Sequence, residues 1–255
     1  KTPLALEKTT KIIHIDIDPA EIGKNIGADL PLVGDAKLVL QQMTELAKPM
    51  KHDEWIAHIK TLGGERKYVE PAKGTVNPRV FIDKLAKKMP ANVTVVADVG
   101  QNQIWTCTEY KFRKEGRLLT SGGMGTMGYS VPAAIGAKMA DNSRATVAIC
   151  GDGAFQMSFM ELATAVQFGV DIKVVVMTNN RLGMVRELQT NGYHDRQTAV
   201  FLDGSPDFIK LAEAYGIPAM RVYDDATMEK GVEMLAEHKG ICLVEVVVDK
   251  DMPTL

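Results

Sequence analysis

The chain has 255 residues, 45% hydrophobic and 24% charged, with 30 basic against 32 acidic side chains. That length suits one large α/β domain, or one domain plus part of another. A formal charge of −2 excludes a strongly basic nucleic-acid surface, and every apolar run falls far short of the roughly 20 residues a membrane span needs.

In chain order, the first 65 residues read as the end of one unit. Ile12–Ile17 is expected as a strand, Asp18-Pro19 as the opening of a short helix over Ala20–Ile26, and Pro31–Val33 as a second strand. Asp35 is placed to cap a helix from Ala36 to about Lys48, and Trp55–Leu62 is a further helix. The stretch from Gly63 to Asn77 is polar and rich in Gly and Pro, so a linker is expected over 66–77. Asn77 then caps a helix with Pro78 at its first position.

The remainder, 78–255, alternates strands and helices. Strands are expected at Val93–Ala97, Leu118–Thr120, Thr146–Cys150, Ile172–Met177, Met220–Val222 and Leu243–Val248. Ser158 and Glu161 have the spacing of a capping box for a helix that closes at Gly169. Helices also close at Gly216 and near Gly240. Short apolar strands between helices imply a doubly wound parallel six-stranded sheet, covered on both faces.

Cys107, Cys150 and Cys242 are an odd number without a CxxC pair, which argues against a disulfide framework and for a reducing cytosol. The five histidines are scattered. The chain starts Lys1-Thr2-Pro3 without an initiator Met, and reads as processed or as a piece of something longer.

Two glycine-rich signals compete. Gly123-Met-Gly125-Thr-Met-Gly128 is a literal GxGxxG before a helix, and on its own suggests a nicotinamide or flavin dehydrogenase. The strand before it is short and does not run into the first glycine. The second signal pairs Gly151-Asp152-Gly153, directly after one strand, with Asn179-Asn180, directly after the next. A right-handed crossover makes those strands parallel; as neighbours they would place both turns on one sheet edge, about 5 Å apart. A carboxylate and an amide oxygen then surround one hard cation such as Mg²⁺, and the glycines let backbone N–H groups approach a diphosphate. An ordinary pair of βα turns would also use these residue types.

The second signal resembles the thiamine diphosphate motif of thiamine diphosphate-dependent enzymes. Asp98-Val-Gly-Gln-Asn-Gln-Ile-Trp105, Thr120–Tyr129 with Pro132–Gly136, Asn180–Val185 and His14–Asn25 together resemble the catalytic subunit of the acetolactate synthase (acetohydroxyacid synthase) family. That family has pyrimidine-binding, central FAD-binding and diphosphate-binding domains in order. The resemblance implies that 1–65 is the tail of the Rossmann-like central domain and 78–255 the diphosphate-binding domain.

By the same resemblance, Asp152, the Asn179 side chain and the Arg181 carbonyl hold Mg²⁺. Gly100, Gln101, Asn102, Gly151, Gly153 and Ala154 lie against the diphosphate, and Gly125, Met127 and Gly183 lie near the cofactor. Met184, Val185 and Leu188 line the cavity and its mouth. Asp16, Ile17, Asp35 and Ala36 match positions that contact FAD, or are simply strand ends and a helix cap. Met124, Met157 and Met160 are expected as core filler. Arg186-Glu187 and Tyr193–Arg196 are expected in a loop that closes over the cofactor, or in an ordinary surface loop.

Two positions depart from the family pattern: Asn102 where His is frequent, and Leu188 where Trp is frequent. The implied reaction condenses pyruvate with a second 2-ketoacid, with loss of CO₂, in branched-chain amino-acid synthesis. A 2-ketoacid decarboxylase, pyruvate oxidase or glyoxylate carboligase of the same fold is the alternative. The implied partners are a second copy or a tetramer, and a regulatory small subunit. The family's activating glutamate belongs to the pyrimidine-binding domain, so no catalytic residue is assigned here. The chain is expected not to be catalytically competent on its own; a cofactor-holding module without turnover is the alternative from a different class.

Overall fold

The structure, a computed structural model, describes residues 10–62 and 68–255. The chain start and the first linker positions, Arg66 and Lys67, lie outside the described residues. Two compact units divide the chain, Lys1–Arg66 and Lys67–Leu255.

In the first unit, β1 (Ile13–Asp16) pairs in parallel with β2 (Leu30–Val33), and α1 (Ala36–Leu46) and α2 (Asp53–Leu62) follow. Asp35 caps α1 as expected, accepting the Leu38 N–H at 3.1 Å. The helix expected over Ala20–Ile26 is absent, and a run of turns replaces it. Asp16 and Asp18 take the N–H groups two residues ahead, at Asp18 and Ala20. Gly23, at φ +73°, donates its N–H to His14 Nδ1. Side chains that satisfy the backbone locally compete with a helix, and here they win. Neither α1 nor α2 buries a residue; Leu46, Trp55 and Leu62 are exposed.

The second unit begins with an extended approach that packs onto the domain. Tyr68 donates to Glu109 Oε2 at 3.2 Å, Val76 donates to the Val247 carbonyl, and Asn77 is buried. Asn77 caps α3 (Pro78–Lys88), accepting the Arg79 N–H at 2.9 Å. The order then runs β3 (Thr94–Ala97), α4 (Gln101–Glu109), β4 (Arg117–Thr120), α5 (Ser130–Ala140), β5 (Thr146–Gly151), α6 (Asp152–Gln156) and a 3-10 turn at Phe159–Glu161. It continues with α7 (Leu162–Gln167), β6 (Lys173–Thr178), α8 (Gly183–Gly192), α9 (Phe208–Ala214), β7 (Ala219–Val222), α10 (Asp225–Glu237) and β8 (Cys242–Val247). All six strands fall within a residue or two of the segments read from the sequence.

The strands form one parallel sheet in the order β4-β3-β5-β6-β8-β7. Alternate strand side chains build two cores. Val95, Val147, Ile149, Val175 and Val244 face Phe81, Leu85, Met228 and Leu235 of α3 and α10. Val96, Ala148, Cys150, Val174 and Val176 face Val131, Ile135, Leu162 and Phe208 of the helices opposite. Strands covered on both faces are mostly apolar, which is why they read as near-continuous hydrophobic runs; Glu245, buried in β8, is met by Arg221 of β7 at 2.8 Å.

The capping box expected at Ser158 and Glu161 does not form. The Ser158 hydroxyl is buried without a partner, and Glu161 accepts from Thr164 Oγ1 instead. Ser158 has ψ near 8°, outside the extended backbone a cap needs. The box is at α10, where Asp224 accepts the Thr227 N–H at 2.8 Å and Thr227 returns the contact.

Candidate functional site

The sheet order reverses between β3 and β5, since the chain leaves β3 outward to β4 and returns on the other side. In open α/β sheets, ligands bind outside the carboxyl ends of the strands at such a switch point. A cleft of about 550 Å³ lies there, built from the segments that follow β3, β5 and β6.

Asp152 forms its floor and is 2% exposed. Adjacent parallel strands β5 and β6 (Gly151 opposite Met177) bring it to Asn179. Its Oδ1 accepts the Gly153 N–H at 2.8 Å, and its Oδ2 accepts from Asn179 N at 3.1 Å and Asn180 N at 2.6 Å. Burial pushes its carboxyl up to about 6, and the three N–H groups pull the other way. No Lys, Arg or His pairs with Asp152 among the described residues. A carboxylate buried without a basic partner is costly, and this one lines the open cleft, where a cation can join it.

The turn after β6 is held open by local bonds. Asn180 sits at φ +53°, and Asn179 Oδ1 accepts the Arg181 N–H at 3.1 Å. Arg181 reaches Asp203 at 3.0 Å and lies over the Phe201 ring. Gln101 stands opposite. Its Oε1 accepts from Asn179 Nδ2 at 3.3 Å, while its Nε2 donates to the Met252 carbonyl at 2.9 Å, to Thr254 Oγ1 at 3.1 Å and to Glu187 Oε2 at 3.3 Å. Trp105 Nε1 donates to the Pro253 carbonyl at 3.1 Å, so residues 252–254 lie along this wall.

Two glycines are required by close approach. A Cβ on Gly183 would fall 1.9 Å from Gln101 Oε1, and Gly100 adopts φ +139° with Asn102 Oδ1 against it. Helices α4 and α8 both start at the cleft without a side-chain cap, leaving first-turn N–H groups free for an anion. The opposite wall is apolar. Met127 Cε lies 3.4 Å from where a Gly153 Cβ would be, and Leu182, Met184, Val185 and Ala154 complete it.

The cleft gathers Gly100, Gln101, Asn102, Met127, Gly151, Asp152, Gly153, Ala154, Asn179, Arg181, Gly183, Met184 and Val185. Gly125 and Leu188 are not among its lining residues. Gly125, at φ +63°, shapes the loop before Met127, and Leu188 is 61% exposed on α8. Arg186 and Glu187 are on helix α8, not in a loop; Glu187 accepts the Thr254 N–H at 3.2 Å. Asn102 turns its amide inward, donating to the Asp98 carbonyl at 2.8 Å and the Ile149 carbonyl at 3.3 Å. In the first unit, Asp16 ends β1 and Asp35 and Ala36 follow β2, so parallel pairing puts all of these with Ile17 on one sheet edge. Met124, Met157 and Met160, expected as core filler, are exposed.

Sequence reasoning missed Trp105, Met177 and Leu182 as lining residues, and Asp98, which is buried beneath the Met127 loop. The literal GxGxxG follows β4, an edge strand, instead of standing at the switch point a dinucleotide motif occupies.

The residues present fit a divalent cation and a diphosphate. The donors are hard oxygens around one unpaired carboxylate, and no cluster of three His, Cys, Asp or Glu side chains offers a rival metal site among the described residues.

The sequence matches a known family at this point. Residues 98–246 match the thiamine pyrophosphate enzyme C-terminal TPP binding domain, and residues 1–43 match the thiamine pyrophosphate enzyme central domain. The chain is 36% identical over 250 residues to the acetolactate synthase large subunit of Lactococcus lactis, covering 97% of this chain and 43% of that protein. It is 39% identical over 251 residues to a probable acetolactate synthase large subunit of Methanocaldococcus jannaschii, covering 94% and 42%. An acetolactate synthase of Mycobacterium bovis is 39% identical over 257 residues, covering 94% and 40%. The chain therefore spans about two fifths of the length of these relatives.

Proposed function

The chain belongs to the thiamine pyrophosphate enzymes, and from that premise we propose that it is the C-terminal part of an acetolactate synthase. Its cleft would anchor the Mg²⁺–diphosphate end of thiamine diphosphate. The observation that carries this reading is the buried Asp152 carboxylate, unpaired by any basic side chain and delivered beside Asn179 by neighbouring parallel strands.

Asp152, Asn179 Oδ1 and the Arg181 carbonyl would hold Mg²⁺; Asn179 Oδ1 would add the metal to its bond from Arg181 N. Gln101, with the backbone at Gly100, Asn102, Gly151, Gly153 and Ala154, would receive the diphosphate. Met127, following Gly125, would support the ring end, while Gly183 leaves the room that end of the cleft needs. Met184 and Val185 would face the substrates, with Leu188 toward the mouth. The cofactor supplies an electron sink for breaking the carboxylate bond of a 2-ketoacid, and the protein supplies orientation and a dry apolar wall.

Pyruvate and a second 2-ketoacid are the proposed substrates, joined with loss of CO₂. In the first unit, helices without a buried residue suit the tail of a larger central domain, with Asp16, Ile17, Asp35 and Ala36 toward FAD. A homodimer or homotetramer, with a regulatory small subunit, is the proposed assembly. Three unpaired cysteines support a cytoplasmic setting, and among the described residues no helix is long and apolar enough to cross a membrane. No residue of this chain takes the role of the activating carboxylate, so the chain alone should show no turnover.

Pyruvate consumption by the full-length protein with Mg²⁺, thiamine diphosphate and FAD tests this. Acetolactate from the parent, lost in Asp152→Ala and absent from the 255-residue chain, is expected. Acetaldehyde, acetyl phosphate, or no turnover of any 2-ketoacid would overturn it.

A further inference from the structure

Asp98 directly follows β3 and is 0% exposed, yet it pairs with no Lys, Arg or His among the described residues. Its Oδ1 accepts the N–H of Val99 at 2.9 Å and of Gly128 at 3.0 Å, and its Oδ2 accepts the N–H of Ser130 at 2.8 Å. Its own carbonyl accepts from Asn102 Nδ2 at 2.8 Å. One residue thus ties the end of β3 to α4 on one wall of the cleft, and to the Met127 loop and the start of α5 on the other.

The loop needs such a tie. Gly125 and Gly128, at φ +63° and +84°, bracket Met127 in backbone that other residues rarely adopt. Among the described residues its other hydrogen bonds are internal, from Gly125 N to the Ser121 carbonyl and from Thr126 N to Ser121 Oγ. A polar group buried this deeply stays only where its bonds are made, and two carboxylate oxygens match three N–H donors. An amide in the same place would turn an NH₂ toward at least one of them.

The geometry points to Asp98 as a positioning residue: it fixes the Met127 side chain over Gly153 at a set distance from the Gly100–Asn102 wall. The inference rests on the cofactor reading of the cleft. Under that reading, the carboxylate sets where the ring end lies relative to the diphosphate end, without touching either.

The test uses full-length protein and three variants, Asp98→Asn, Gly128→Ala and Asp152→Asn. A Cβ on Gly128 would meet Met157 Cβ at 3.0 Å, so Gly128→Ala disturbs the same loop should Asp98→Asn fail to fold. Three quantities are read: Mg²⁺-dependent thiamine diphosphate affinity, exchange of the bound thiazolium C2 proton, and amide-hydrogen protection at Gly128 and Ser130 without cofactor.

Asp98→Asn is expected to bind cofactor as the parent does, to slow C2 exchange by about 10- to 100-fold, and to lose amide protection at the two positions. Gly128→Ala is expected to slow exchange likewise. Parental exchange rates in a folded Asp98→Asn protein, or in Gly128→Ala where the first does not fold, overturn the inference. So does loss of cofactor binding by a folded Asp98→Asn protein, which would make the carboxylate part of the anchor. Unchanged Mg²⁺-dependent affinity in Asp152→Asn overturns the cofactor reading and the inference with it; cofactor-free amide protection separates the two failures.

Discussion

At the scale of single residues, Asp152 and Asp98 are two buried carboxylates whose partners are backbone N–H groups. They differ in what surrounds them. Asp152 opens into the cleft and lies beside the Asn179 amide, whereas Asp98 is enclosed by the segments it joins. Replacing Asp152 by Ala should weaken Mg²⁺-dependent cofactor binding by about 2–5 kcal/mol, the usual cost of removing one side of a buried charge pair. Titration calorimetry with and without EDTA reads this directly. Gly183→Ala probes the same cleft sterically. The added Cβ would displace the Gln101 side chain, and diphosphate binding should weaken while the fold is kept. Gln101 is buried and holds four hydrogen bonds, so the unfolding midpoint should fall by the cost of the bonds its displacement breaks.

At the scale of elements, caps separate what local sequence decides from what packing decides. Asp224→Ala removes a formed capping box and should cost about 1 kcal/mol in chemical denaturation. Ser158→Ala removes a buried hydroxyl that has no partner, and should be neutral or stabilising by the same measurement. From sequence only Ser158 and Glu161 were read as a capping box. Asp224 is in extended backbone (φ −156°, ψ 176°), and Ser158 is not. The six strands were legible because burial on both faces leaves them mostly apolar, with polar residues largely at their ends. The turn run at Asp18–Gly23 was not legible, because Asx bonds and a His14 acceptor decide it.

At the scale of the whole molecule, the strand order explains why the cleft was found from two short motifs. The Asp152 and Asn179 turns carried enough of it, since a right-handed crossover between adjacent strands puts both on one edge. Trp105 and Leu182 were hidden because their chemistry is generic, and only the crossing of three βα segments brings them to the cleft. Asp98 was hidden because its partners are main-chain groups of a loop 30 residues away.

Thiol chemistry reports on the same packing. Cys150 and Cys242 are fully buried, and burial pushes Cys150 well above the usual thiol range and Cys242 up to about 11. Alkylation of the folded chain near neutral pH should therefore label Cys107 first, with the other two reacting only after denaturation; peptide mass spectrometry reads the order.

The most direct measurement is a crystal structure of the full-length protein with thiamine diphosphate and Mn²⁺ in place of Mg²⁺, using anomalous scattering to locate the metal. The account predicts one Mn²⁺ at about 2.1–2.2 Å from an Asp152 carboxylate oxygen, Asn179 Oδ1 and the Arg181 carbonyl, with diphosphate oxygens completing its shell. Metal bound elsewhere, or cofactor bound without contact to Asp152, would contradict it.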